Sequence, residues 1–177
     1  DASWNGQIAR VIKRGDLSGK IGQTLVLHGD ASAPQGRVVL VGAGKSREVS
    51  VRDFGRLAAA LAAALSKLAI KSVVVDLATM AVAERDEAWR VRNLAEAILD
   101  STYHFDAMKS GPKAKTRGPK KITFARSVQR ASRTITEALA RASAIHQGKC
   151  IARDLGNLPG NICTPRYLAA HARKMAT

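Results

Sequence analysis

The stretch ARDLGNLPGNICTPRYLAAHARK, Ala152 to Lys174, decides how the rest of the chain is read. A helical pattern runs into Asp154 and meets Gly156, Pro159 and Gly160, residues that break helices. Thr164 and Pro165 then have the form of a new helix start, with Thr as N-cap and Pro at the first helical position. The reading places a boundary near Leu155, treats Gly156–Cys163 as a linker, and takes the last helix as the opening of a further domain. Ser3 to Lys13, at the other end, reads as a helix already under way.

Between these ends, strands alternate with helices. The runs TLVLHG (Thr24–Gly29), RVVLVGAG (Arg37–Gly44), KSVVVDLA (Lys71–Ala78) and KITFARS (Lys121–Ser127) are short, branched and apolar, as strands are. Ser50 and Asp53 have capping-box spacing ahead of an Ala/Leu-rich helix reaching Ala69. Glu84 to Thr102 reads as a second helix with Leu94, Ile98 and Leu99 on its apolar side. A long third helix is expected from Val128 to Leu155. This order indicates an α/β domain with a largely parallel or mixed sheet. No apolar run approaches the roughly 18 residues of a membrane span. Two cysteines, Cys150 and Cys163, are too few for a disulfide framework, so a reducing cytoplasm is expected.

Charge is placed unevenly. The formal net charge is +15, yet residues 1–106 hold 14 Lys and Arg against 12 acids. Residues 107–177 hold 15 Lys and Arg against two acids, Glu137 and Asp154. Such asymmetry suits a polyanionic partner or an acidic neighbouring surface, and the sequence leaves both open. Lys109, Lys113, Lys115, Arg117, Lys120 and Lys121 crowd one Gly-Pro-rich loop, KSGPKAKTRGPKK. On the helix that follows, Arg126, Arg130, Arg133 and Arg141 share one stripe with Glu137, opposite an apolar stripe of Val128, Ala131, Ile135, Leu139, Ala142 and Ile145. Loop and stripe are the candidate contacts to double-stranded DNA, through its phosphates. No aromatic lies in the loop, which disfavours stacking on single strands.

Catalytic patterns are absent from these residues. GAGKS (Gly42–Ser46) ends like a phosphate loop, but the motif needs a Gly where Val39 stands, so a tight turn is the better reading. DFG (Asp53–Gly55) lacks the rest of a kinase signature. The pairs His28 with Asp30 and His104 with Asp106 have no metal-ligand spacing around them. No catalytic and no metal-ligating residue is assigned.

Three segments carry a family resemblance. The opening stretch is similar to the inter-domain segment of leucyl aminopeptidases, an RDL-N-P-N-TP-YLA pattern. It is matched by Arg153, Asp154, Leu155, Asn157, Pro159, Asn161, Thr164, Pro165, Tyr167, Leu168 and Ala169. YHFDAMKS (Tyr103–Ser110) resembles the family's Tyr-x-Phe-Asp-x-x-Lys segment, and RGDLSGKIGQTLVLHG with VVLVGAGK resembles its early strand pair. The resemblance implies a macro-domain-like mixed sheet flanked by helices over 1–127, its first strand missing. A long connecting helix over 128–155 and the linker and first helix of a peptidase domain over 156–177 would follow. It further implies a parent enzyme with two divalent metals, Zn or Mn, that removes N-terminal residues from peptides as a homo-hexamer. The family's Lys-Gly-x-x-Phe-Asp and Asn-Thr-Asp-Ala-Glu-Gly-Arg segments do not occur here, so the chain is expected to be a non-catalytic N-terminal fragment serving assembly or DNA binding. Nucleotide binding by analogy with macro domains is the weaker alternative.

Overall fold

The computed structural model describes residues 4, 6–29, 36–45, 48–76, 80–111, 118–125 and 133–176. The first helix, α1, spans Gln7–Arg14 and ends at Gly15, whose left-handed backbone (φ 85°) lets its N–H bond back to Ile12 and Val11. Strands β1 (Thr24–His28) and β2 (Arg37–Val41) pair antiparallel, Thr24 opposite Val41 and His28 opposite Arg37. Gly29 N–H bonds Gly36 O, and Gly42 N–H bonds Gln23 O, closing both ends of this ladder. Bonded pairs alternate along it, so the N–H and C=O of Val39 and Val41 point away from β1.

The two-residue strand β3 (Glu48–Val49) leads into α2 (Val51–Ser66). Ser50 caps α2, its Oγ accepting from the Asp53 N–H at 3.1 Å and donating to the Asp53 carboxylate at 2.9 Å. Phe54, Leu57, Ala58, Leu61, Ala62 and Leu65 recur at helical spacing and are all buried. Strand β4 (Ser72–Val75) follows, then β5 (Ala81–Val82), which pairs parallel with β3. Helix α3 (Glu87–Asp100) is capped by Asp86, which accepts from the Trp89 N–H at 2.7 Å. It starts three residues later than the sequence reading because Glu84 adopts a left-handed turn (φ 55°). Strand β6 (Lys121–Phe124) returns parallel to β4, Ser72 opposite Lys121.

Val91, Leu94 and Ile98 of α3 meet Phe54, Leu57 and Leu65 of α2 as the fully buried centre of the core. Each such side chain contributes about 1.5–3 kcal/mol on burial. Helix α4 (Arg133–Asn157) packs along α3 and seats Ile135 and Ala142 in the interior, with Leu139 half-buried beside them. Ile145 is exposed, so the apolar stripe read from sequence ends a turn early; Val128 and Ala131 lie outside the described residues.

Gly156 does not break α4. The helix continues to Asn157, and Pro159, which has no N–H to give, marks the real stop. Helix α5 (Pro165–Met175) is capped by Thr164, which accepts from Tyr167 N–H at 3.3 Å, and none of its residues is buried. The whole is a mixed α/β arrangement of small sheets flanked by helices and a long helix. Among the described residues β2 pairs only with β1, and β4 only with β6. Their other edges line one cleft of about 1100 Å³, with Val39, Val41, Val73 and Val75 on its walls and Leu65 and Leu68 beneath. No described helix is long and apolar enough to cross a membrane.

Candidate functional site

Of the basic residues singled out by sequence, Lys109, Lys120, Lys121, Arg133 and Arg141 lie within the described residues. Lys113, Lys115, Arg117, Arg126 and Arg130 lie outside the described residues. Lys109 is drawn back onto Asp106 at 2.6 Å, and Arg133 onto Glu137 at 2.7 Å, so each cation has a carboxylate of its own. The N–H groups of Lys120 and Lys121 both bond Lys71 O, at 2.9 and 3.0 Å, where β6 begins. That gathers Lys71, Lys120 and Lys121 at one end of the β4–β6 pair, all exposed. Arg37 reaches the same end, its guanidinium donating to Ala69 O at 3.3 Å. Arg141 is exposed on α4.

The glycine turn after β2 is occupied by the chain itself. Gly44 N–H bonds Gly19 O at 2.8 Å and Gly42 N–H bonds Gln23 O at 2.7 Å, so these two amides are spent within the chain and are not free to wrap a phosphate. A Cβ on Gly42 would sit 2.2 Å from Lys20 O. Glycine is there because two backbones touch.

Among the described residues the densest cluster of charged side chains lies where α3 meets α4, and no sequence motif marked it. Asp100, the last residue of α3, accepts from Lys149 Nζ at 2.8 Å and lies 3.1 Å from His146 Nδ1. Arg153 stands 3.9 Å off, and Lys149 also reaches Glu96 at 3.7 Å. Cys150 Sγ lies 3.4 Å from His146 Nε2. Spacings of three and four put His146, Lys149, Cys150 and Arg153 on one face of α4. Which partner that face meets is a tertiary fact that spacing does not carry.

Burial alone would raise the Asp100 carboxyl, but the hydrogen bonds from Lys149 and His146 and the charges of Lys149 and Arg153 outweigh it. The group sits below its ordinary 3.8. A depressed folded value means the unfolded chain binds the proton first as pH falls. The pairing therefore stabilises fully above the ordinary aspartate range and is lost as pH drops through the lower folded value. Asp100→Asn is expected to flatten this acid limb of the stability–pH curve, read by urea midpoints between neutral and acid pH. A limb of unchanged steepness would count against the assignment.

One turn further on, the two segments that resemble the aminopeptidases join each other. Tyr103 Oη donates to Asp154 Oδ1 at 2.8 Å and accepts from Asn157 Nδ2 at 3.0 Å. Arg153 lies over the Tyr103 ring, 5.2 Å from its centre. Partial burial, then the Asp154 hydrogen bond, hold the Tyr103 hydroxyl above its ordinary value. The pattern residues of Tyr103–Lys109 and Arg153–Asn157 thus pin the chain leaving α3 to the end of α4. Beside them His104, Phe105, Asp154, Leu158, Tyr167 and His171 line a cavity of about 420 Å³. Among the described residues no group of three His, Cys, Asp or Glu is placed to hold a metal ion. His28 ends β1 and is exposed; its sequence partner Asp30 lies outside the described residues.

Comparison with known proteins gives this arrangement a family. The family described as "Cytosol aminopeptidase family, N-terminal domain" matches residues 1–112. A probable cytosol aminopeptidase of Chromobacterium violaceum is 39% identical over 178 residues, covering 99% of this chain and 34% of its own. That of Azotobacter vinelandii is 42% identical over 177 residues, covering 99% and 35%. The chain therefore spans about a third of the length of these relatives. Among solved structures, a mutant tomato leucine aminopeptidase superposes with TM-score 0.75 at 25% identity, over 99% of this chain and 33% of that one. The bottromycin maturation enzyme BotP in complex with Mn superposes with TM-score 0.69 at 25% identity, over 95% and 33%. With its early hairpin, its Tyr103 segment and its α4 terminus all in the matching order, the chain belongs to the cytosol aminopeptidase family and corresponds to its N-terminal domain.

Proposed function

We propose that residues 1–177 are the non-catalytic N-terminal part of a leucyl aminopeptidase that uses two divalent ions, Zn or Mn, to remove N-terminal residues from peptides. In this reading 1–127 form the α/β domain, 128–155 the connecting helix, and 156–177 the linker and first helix of the peptidase domain. The observation that carries it is α5: a properly capped helix with no fully buried residue, which leaves Tyr167, Leu168 and Met175 exposed, as a helix belonging to another core would. The metals would be held by residues beyond these 177, since the described residues offer no donor cluster. The enzyme would work in the cytoplasm as a homo-hexamer.

The test is hydrolysis of leucine p-nitroanilide by the full-length protein and by the 177-residue chain, each with added Mn or Zn. Only the full-length protein is expected to turn over substrate, and a chelator should abolish that activity. Turnover by the 177-residue chain, or full-length activity indifferent to chelation, would overturn the proposal.

The excess of 15 Lys and Arg over two acids in residues 107–177 favours a second reading, in which the basic half contacts double-stranded DNA. With Lys109 and Arg133 paired to carboxylates, Lys120, Lys121 and Arg141 are the exposed described cations of the assigned set that are not drawn onto such a partner. Titration with a duplex of about 30 base pairs should weaken steeply between low and physiological salt. Reversing Lys120 and Lys121 to Glu should lower the salt slope by about two. A slope and affinity untouched by that double reversal would remove the loop from the interface.

A further inference from the structure

Several cations meet at the turn from α2 into β4, and most of them come from outside the basic half of the sequence. Lys67 is the C-cap residue of α2, and Lys71 immediately precedes β4. The chain entering β6 is laid against the same turn. Gly118 N–H bonds Leu68 O at 3.0 Å, and the N–H groups of Lys120 and Lys121 bond Lys71 O at 2.9 and 3.0 Å. Arg37, at the start of β2, donates to Ala69 O at 3.3 Å. Three segments far apart in sequence thus bring Arg37, Lys67, Lys71, Lys120 and Lys121 to one corner, all of them exposed. The basic loop read from sequence runs into Gly118, so it joins the fold here.

No described carboxylate answers these charges. Lys109 and Arg133 each fold back on an acid, but among the described residues no ion pair holds any cation of this corner. Residues 65–75 and 118–125 contain no acid, and Asp76 stands past the opposite end of β4. Like charges gathered on one surface repel each other, and a shared anion relieves that repulsion better than screening by salt does. All of these side chains are exposed, so the corner is an open surface and suits a partner that brings several anionic groups in a row. A nucleic-acid duplex does so, with one charge per about 1.7 Å of its axis. No described aromatic is exposed at this corner, so unpaired bases find nothing to stack on.

We infer that the phosphate backbone of double-stranded DNA rests on this corner, with Arg37, Lys67 and Lys71 as contacts that the sequence did not single out. The inference rests on the DNA-binding reading proposed above and narrows it: the surface is the α2–β4 turn with the start of β6, and Arg141, carried by α4, is not a contact. Ammonium groups aimed at phosphates hold a duplex without reading its bases.

The experiment titrates the full-length protein with a duplex of about 30 base pairs over a range of salt concentrations. Lys67→Ala and Lys71→Ala, made together, should lower the salt slope by about two, and these neutral changes remove contacts without adding repulsion. Arg141→Ala should leave the slope unchanged. Urea midpoints equal to that of the parent protein show that each variant keeps its fold. A slope untouched by the Lys67 and Lys71 pair, or lowered by Arg141→Ala alone, would overturn the assignment to this corner while DNA binding stood. No binding even at low salt would remove the DNA-binding reading and this inference together. Binding of poly-glutamate without binding of the duplex would overturn it in favour of an acidic protein partner.

Discussion

Phe54→Ala should lower unfolding stability by about 3–5 kcal/mol, the cost of deleting a fully buried aromatic whose site collapses only in part. Phe54 has no exposed surface and sits in the first turn of α2, its N–H bonded to Ser50 O at 2.9 Å. Its ring meets Trp89 of α3 at 5.6 Å between centres, tilted by 44°. Trp89 in turn carries the Arg85 guanidinium 5.5 Å from its ring centre. The void would therefore open at the place where α2 and α3 hold each other, and both helices would lose contact. A domain of this size has about 5–15 kcal/mol in total, so the loss would take a large share. Urea midpoints read it, with Val74→Ala as the comparison; Val74 is 69% exposed and should change stability by less than about 0.5 kcal/mol. Similar shifts for the two variants would mean that the core is not centred on Phe54.

Gly42→Ala should destabilise by about 3 kcal/mol, because the added methyl meets backbone that cannot rotate away. Its Cβ would stand 2.2 Å from Lys20 O and 2.8 Å from Gly19 C. Both neighbours belong to the 19–23 turn that Gly42 and Gly44 tie down through their amides. Relief requires moving that turn, and with it the end of the β1–β2 ladder. Gly55→Ala is the informative contrast: nothing lies within 4 Å of its Cβ position and the residue is helical, so it should gain about 1 kcal/mol. Two glycines thirteen positions apart would then move the urea midpoint in opposite directions. A stabilising Gly42→Ala would show that the turn is free to shift.

Much of the fold is legible in local chemistry. The caps at Ser50 and Thr164 act within a few residues, and both stand where the sequence reading put them. Strands β3 and β5 have two residues each, too few for any period to show, and only their pairing of Glu48 with Ala81 and Val49 with Val82 makes them strands. Gly156 has the composition of a break yet stays helical, because glycine costs a helix about 1 kcal/mol whereas proline removes a bond outright. The shared pattern residues Tyr103, Arg153, Asp154 and Asn157 are individually readable. That they touch one another depends on α4 lying along α3, and no local signal encodes it. The same holds for Asp100 and His146, forty-six positions apart. The basic half shows the converse: Asp106 and Glu137 stand three and four residues from Lys109 and Arg133, near enough to pair with two of the cations assigned to a distant partner.

The trough between β2 and β4 has a practical meaning for handling the domain alone. Main-chain groups of Val39, Val41 and Val74 face it without a ladder partner among the described residues. Open edges of that kind are templates on which a second copy can lay a strand, and the route to aggregation they offer grows with concentration. Arg37 lines the trough, and Lys71 and Lys121 lie next to its end at Ser72, where a like-charged copy would have to approach. These cations guard solubility whatever else they bind. A charge reversal made at Lys121 to test nucleic-acid contact would also lower that guard, so loss of soluble protein must be scored apart from loss of affinity.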